Sequence, residues 1–169
     1  MKIIYTIALV LLIGVGGCKE TPKEKKNVIA QSGTDIDKIQ LTDLAGQPHE
    51  IKRYNNKTVF VNFWASWCKP CIMEMPSIEK MQTRLKDENI IFLLASNEDV
   101  KEIEVFKKKN NYTFNYTRIE NMEALNIQGL PTTFIYNREG KLVFSEMGIR
   151  NWNDSTNIEI ILKIINQND

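Results

Sequence analysis

Hydrophobic residues along this chain change their period several times, and each change marks an element. Val59, Phe60, Val61, Phe63 and Trp64 form a run of β-branched and aromatic residues, the pattern of a strand buried on both faces. With almost no loop the pattern turns helical: Ile72, Met75, Ile78, Met81 and Leu85 recur at threes and fours and make one stripe. Pro76 lies inside that stripe and predicts a kink. Ile90 to Ala95 is again continuously apolar, as a central strand covered on both faces would be. Asn97-Glu98-Asp99 can cap a second helix over Val100 to Lys109, with Ile103 and Phe106 inward.

The flanking stretches carry weaker patterns. Ile36, Ile39 and Leu41 alternate loosely, Asp43 to Gln47 reads as a turn and Ile51 follows, which predicts a small β-hairpin leading into the first main strand. Phe114 to Tyr116 is a short strand or extended stretch, and Met122 to Leu125 a helical turn. Gly129 to Tyr136 and Lys141 to Met147 flank the turn residues Asn137 to Gly140, a hairpin with Pro131 at the entrance of its first strand. A last helix over Ser155 to Asn166 puts Ile158, Ile161, Leu162 and Ile165 on one face. The order β, α, β, α, hairpin, α assigns the chain to the α/β class.

Composition narrows this picture. A length of 169 residues with 43% apolar content fits one domain with an ample core. Lys and Arg number 22 against 21 Asp and Glu, with no basic stripe, so nucleic-acid binding is not expected. The lysines at 23 to 26 and 107 to 109 read as solvated surface or linker. His49, the sole histidine, is expected on the surface or in the hairpin and not as a base. Met1 and Lys2 precede about 15 apolar residues, short of the roughly 18 to 20 that span a bilayer, so residues 1–17 read as a signal peptide. Residues 18–33 are polar and weakly patterned, a flexible tether, which leaves 34–169 as the domain.

Chemistry concentrates at Cys68-Lys69-Pro70-Cys71, the corner between the first main strand and its helix. The unpaired N–H groups of a helix's first turn, together with its dipole, favour a thiolate over a thiol. Two cysteines three positions apart hold either a disulfide or a dithiol. Cys68, nearest the exposed helix end, is the expected nucleophile, and Cys71, one turn further in and buried, the resolving thiol. Pro70 suits the first turn, where a missing N–H costs little. Lys69 either stabilises the thiolate or is simply solvated; both readings stand. Trp67 offers a flat apolar platform for a docked polypeptide. A zinc site would need four ligands where this pair gives two, so no metal is expected. A purely structural staple is also a poor reading, since so short a loop closes little chain entropy. A leader implies export, where such a pair needs electrons from outside to act as a reductant.

Phe63-Trp64-Ala65-Ser66-Trp67-Cys68-Lys69-Pro70-Cys71 resembles the active-site segment of the thioredoxin superfamily. Asn62, Glu74-Met75-Pro76, Gly129-Leu130-Pro131-Thr132-Thr133-Phe134 and Gly140 are similar to its TlpA/ResA-like branch of membrane-tethered thiol-disulfide oxidoreductases. The resemblance covers residues 34 to 166 and implies a thioredoxin-like fold, a central mixed sheet flanked by helices, with an N-terminal β extension. It implies a cis Pro131 packed against the disulfide, where base rates alone favour trans, and a Leu130 whose backbone pairs with an extended substrate strand. Glu74 matches a family glutamate. A carboxylate one turn from Cys71 can accept its proton, although an exposed residue favoured by the helix dipole is the alternative. Asn62 stands where cytoplasmic-type thioredoxins carry a buried aspartate; an amide cannot titrate, which leaves Glu74 as the substitute.

Val15-Gly16-Gly17-Cys18 resembles a bacterial lipobox, which implies a lipid on Cys18. The expected protein is therefore a monomeric enzyme without cofactor, lipid-anchored outside the cytoplasm and facing the periplasm or cell surface. It would exchange disulfides with protein thiols, as a reductant fed by a membrane thiol-disulfide electron donor, for example in cytochrome c maturation. The alternatives are a peroxiredoxin-type thiol peroxidase and a redox-inert polypeptide-binding module.

Overall fold

A computed structural model describes residues 36–167. The expected leader, the tether and Cys18 lie outside the described residues. The first main strand, Thr58–Phe63 (β2), is buried at every position, as its β-branched and aromatic residues require, with the polar Thr58 and Asn62 buried among them. It pairs in parallel with Ile90–Ser96 (β3) and antiparallel with Thr132–Tyr136 (β5). Outside these lie Tyr116–Ile119 (β4), parallel to β3, and Leu142–Met147 (β6), antiparallel to β5. Leu41–Thr42 (β1) closes the far edge, giving a mixed sheet in the order β1-β4-β3-β2-β5-β6.

Alternation along the strands divides the core into two clusters. Phe60, Trp64, Leu94 and Ile135 pack with the apolar faces of three helices, Lys69–Arg84 (α1), Val100–Lys109 (α2) and Ser155–Asn166 (α3). Val59, Val61, Phe63, Leu93 and Phe134 point the other way and are covered by Ile39, Leu41, Ile51 and Leu125. The helices therefore share one face of the sheet, and the N-terminal segment covers the other. The helical stripe read from sequence is the buried stripe of α1: Met75, Ile78 and Met81 are fully covered. The helix runs through Pro76 as one element.

Three local expectations need correction. The N-terminal stretch is only a rudimentary hairpin. Asp43 Oδ1 accepts from the N–H groups of Ala45 and Gln47, at 2.9 Å each, and turns the chain, and Thr42 bridges Pro48. Pro48 has no N–H with which to extend a ladder, and β1 finds its partner in β4 instead. A 3-10 helix over Ile51–Tyr54 separates this turn from β2, so nothing runs from a hairpin straight into the main strand. His49 is buried, not exposed, with Nε2 2.9 Å from the Tyr54 hydroxyl. Burial, with the Arg53 guanidinium second, holds its pKa below the ordinary imidazole value. The fourth strand begins at Tyr116, not Phe114: the Asn115 carbonyl takes the Leu94 N–H, and paired residues follow from there.

The turn at Gly140 ties the N-terminal extension to the hairpin of β5 and β6. Gly140 has φ of 75°, and its carbonyl accepts the Ile36 N–H at 2.8 Å. A Cβ there would lie 2.6 Å from Ile36 Cγ2, so only glycine fits.

Ile78 tests the helix-to-sheet packing, since truncation leaves a cavity that neighbours cannot readily fill. Ile78→Ala is expected to lower the urea midpoint by the equivalent of about 2–5 kcal/mol, with the denaturant slope unchanged. A loss below about 1 kcal/mol would show that α1 is not held by this stripe.

Candidate active site

Register at the end of β2 assembles the site. Phe63 pairs with Ala95 on one side and with Thr132 on the other. The chain leaving β2 toward Cys68 therefore emerges between the end of β3 and the start of β5. The Trp64 N–H still bonds to Ala95 O at 3.1 Å, and the backbone then turns, with Cys68 N–H donating to Ala65 O at 3.1 Å.

Cys68 is the N-cap of α1. Its backbone is extended (φ −80°, ψ 94°), and its Sγ accepts the Cys71 N–H at 3.3 Å. This cap is the arrangement that stabilises negative charge on sulfur. Lys69 and Pro70 occupy the first two helical positions, both exposed, and a disulfide joins Cys68 to Cys71. Cys71 is fully buried. Cys68 is shielded more than its place at the helix end suggests, at 4% exposure, whereas Trp67 before it stands 73% exposed. Pro131 is buried and cis to Leu130, itself half-buried and placed just before the ladder residue Thr132.

Glu74 sits in the buried stripe of α1 at 2% exposure, so it is no surface carboxylate. Three donors converge on its carboxylate. Oε1 accepts Asn62 Nδ2 at 2.7 Å; Oε2 accepts the Arg150 N–H at 3.0 Å and Trp152 Nε1 at 3.3 Å. Burial pushes its pKa up to about 7, against the opposing pull of those hydrogen bonds. Asn62 also donates to Thr133 Oγ1 at 3.0 Å, which links β2, α1 and β5 beneath the disulfide segment. One turn on, Ser77 Oγ donates to Glu74 O at 2.7 Å and accepts the Trp152 N–H at 3.0 Å. The loop from β6 to α3 is thereby stitched to α1.

Two groups of this site had no local signature. Trp152, fully buried edge-on against Phe60 with ring centroids 4.9 Å apart, lies 78 positions from the carboxylate it contacts. Glu98 belongs to a run that reads as helix capping, yet Asp99 and Glu102 form the capping box of α2 on their own. The Glu98 carboxylate instead takes both the N–H and the hydroxyl of Ser66, each at 2.6 Å.

A cysteine pair joined as a disulfide, with its first sulfur on a helix cap, is suited to disulfide exchange. A family model described as Redoxin matches residues 31–162. The chain is 31% identical over 140 residues to the thiol-disulfide oxidoreductase ResA of Geobacillus kaustophilus, covering 80% of each chain. It is 28% identical over 142 residues to the thioredoxin-like protein YneN of Bacillus subtilis, covering 79% of this chain and 82% of that one. In fold it is similar to a thiol:disulfide interchange protein from a Bacteroides species, with TM-score 0.64 and 22% identity, over 76% of this chain and 86% of that one. A thioredoxin-family thiol:disulfide interchange protein from Chlorobium tepidum gives TM-score 0.60 and 21% identity, over 75% and 92%. The chain belongs to the Redoxin family of the thioredoxin superfamily and is a ResA-like thiol-disulfide oxidoreductase whose cysteine pair is Cys68 and Cys71.

Proposed function

We propose that this enzyme is a protein-disulfide reductase in which Cys68 attacks, Cys71 resolves and Glu74 moves the proton between steps. The observation that carries this reading is the carboxylate of Glu74, buried one helical turn after Cys71 with its pKa near neutrality.

In the reduced enzyme the Cys68 thiolate attacks one sulfur of a substrate disulfide; a mixed disulfide forms and the first substrate thiolate leaves. Hydrogen bonds to a charged group contribute about 1.5–3 kcal/mol, so the Cys71 N–H contact with Cys68 Sγ favours the thiolate that begins the cycle. Cys71 then gives its proton to Glu74 and attacks Cys68 Sγ, which releases the second substrate thiolate and closes the Cys68–Cys71 disulfide. Two electrons pass to the substrate, and a membrane thiol-disulfide donor restores the dithiol.

Leu130, ahead of cis Pro131, offers backbone to an extended substrate segment, while Trp67, Lys69 and Pro70 form the exposed rim against which it lies. The leader pattern and the lipobox-like Cys18 support a lipid-anchored monomer outside the cytoplasm, facing the periplasm or cell surface. The resemblance of Asn62, Glu74-Met75-Pro76 and Gly129 to Phe134 to the TlpA/ResA-like branch is what suggests apocytochrome cysteines as clients, in cytochrome c maturation. A peroxiredoxin-type reading requires one cysteine to act on peroxide, and the sulfur bond between Cys68 and Cys71 favours exchange.

Cys71→Ser leaves the attacking sulfur without its resolver. It is expected to accumulate mixed disulfides with client proteins on Cys68, visible as reductant-sensitive adducts, while Cys68→Ser accumulates none. Equal adducts in both variants would exclude the assigned order of attack. Glu74→Gln keeps the shape and removes the base. Release of the second substrate thiol is expected to slow by about a hundredfold, with the first attack unchanged and the pH dependence near 7 abolished. An unaltered resolution rate and pH profile would remove Glu74 from the mechanism.

The same group makes a stability prediction. Its folded pKa, about 7, lies above the ordinary 4.5, so the folded state holds an extra proton between those values. That contribution is complete below about pH 4.5 and is lost as pH rises through 7. Wild type should lose roughly 1–3 kcal/mol across this window relative to Glu74→Gln, read from denaturant midpoints at pH 4.5 and 7.5.

A further inference from the structure

We propose that Glu98 is a positioning residue for disulfide exchange: its carboxylate clamps the loop that carries Trp67 and Cys68. The role rests on exchange taking place at Cys68.

The loop Ala65-Ser66-Trp67 is the only covalent link between the rigid end of β2 and the N-cap of α1, and it has to present two groups in opposite ways. Cys68 must be tucked inward, with Sγ over the first turn; Trp67 must stand outward. Trp64 N–H bonds to Ala95 O and Cys68 N–H closes back on Ala65 O; among the described residues the backbone between them makes no other bond to the sheet. Glu98 supplies the missing hold. Its two oxygens take the Ser66 N–H and the Ser66 hydroxyl at 2.6 Å each, a fork of two charge-assisted bonds on one residue.

Glu98 is itself held in place. Fully buried Ser96, at the end of β3, donates from Oγ to Glu98 Oε2 at 3.0 Å and accepts the Glu98 N–H at 3.2 Å. Arg118 on β4 donates from Nε to the Glu98 carbonyl at 3.3 Å. Register explains why these meet, because Phe63 and Ala95 are paired neighbours and the chain beyond each lies side by side. Helix capping does not need Glu98, since Asp99 and Glu102 provide it. A carboxylate with no share in the cap and both oxygens spent on Ser66 acts on the active-site loop.

Loss of the fork would let Ser66 rotate. The Cys68 cap geometry and the Trp67 platform would then be held only part of the time, so both thiolate stabilisation and protein docking suffer together. Aspartate is the informative replacement: it keeps the charge, but one methylene less cannot reach both donors of Ser66.

Glu98→Asp is expected to cut kcat/KM for a protein disulfide such as insulin about tenfold at neutral pH. The midpoint of Cys68 alkylation against pH should also rise. Because the charge is retained, that rise reports geometry. Ser66→Ala, which loses one tooth of the fork, should fall between Glu98→Asp and wild type on both measures. Cys68→Ser serves as control: exchange that survives it refutes the assignment of chemistry to Cys68 and, because the clamp acts only through that residue, overturns the clamp with it. With that control silent, wild-type kcat/KM and an unmoved midpoint in Glu98→Asp overturn the proposal. So does a lowered Tm with both measures unchanged for the folded protein, which would make Glu98 a structural residue only.

Discussion

The register of a single strand end governs this molecule. β2 is buried at all six positions and stops at Phe63 between two partners, Ala95 and Thr132. Its continuation cannot stay in the sheet and must leave where three chain segments come together. One segment brings Cys68 to a helix cap, the second brings Glu98 and the third brings cis Pro131. A slip of one residue would invert the faces of β2, exposing Phe60 and Trp64 to the side that now receives Val61 and Phe63. The hydrophobic core thus specifies the placement of the sulfur chemistry, because the only register that buries both sets of side chains also juxtaposes these three ends.

Against that scaffold Glu74 is the costly element. An ionised carboxylate loses several kcal/mol of solvation on burial, which only donors can offset. The fold supplies three donors, and just one comes from the adjacent strand. The other two, the Arg150 N–H and Trp152 Nε1, come from the loop that follows β6. The edge-on contact of Trp152 with Phe60 and the Ser77 bridge hold that loop down. Docking of the C-terminal region and tuning of the carboxylate are consequently one event: without the β6–α3 loop in place, Glu74 would keep Asn62 and lose two of its three donors.

Most of the fold was legible in the sequence because its signals are local. The apolar run of β2, the period-3.6 stripe of α1, the cap of α2 and the apolar face of α3 each need only neighbours within a few residues, and they appear where the pattern puts them. The edges were less legible. Leu41–Thr42 is a strand only because β4 lies beside it, and β4 starts at Tyr116 because Leu94 faces that residue. The burial of His49 likewise follows from the packing of the N-terminal segment and not from its own neighbours. In the site, the cysteine pair, Glu74, Leu130 and Pro131 could be named from spacing and family resemblance. Trp152 and the fork from Glu98 to Ser66 could not, since each joins residues 32 or more positions apart with no shared periodicity.

The proposed base also gives a reason for burying a carboxylate at some expense of stability. A free cysteine has a pKa of about 8.5 and an ordinary glutamate 4.5, so moving a proton from one to the other costs roughly 5 kcal/mol. With Glu74 raised to about 7, the same transfer costs roughly 2 kcal/mol. The difference lowers the barrier for Cys71 to become a nucleophile at neutral pH. A carboxylate raised much further would be protonated before the thiol arrived and could accept nothing. The three donors around Glu74 hold it between these limits: burial alone would push the value higher, and hydrogen bonding alone would pull it below the useful range. The same loop that satisfies the buried charge therefore matches the proposed base to a thiol.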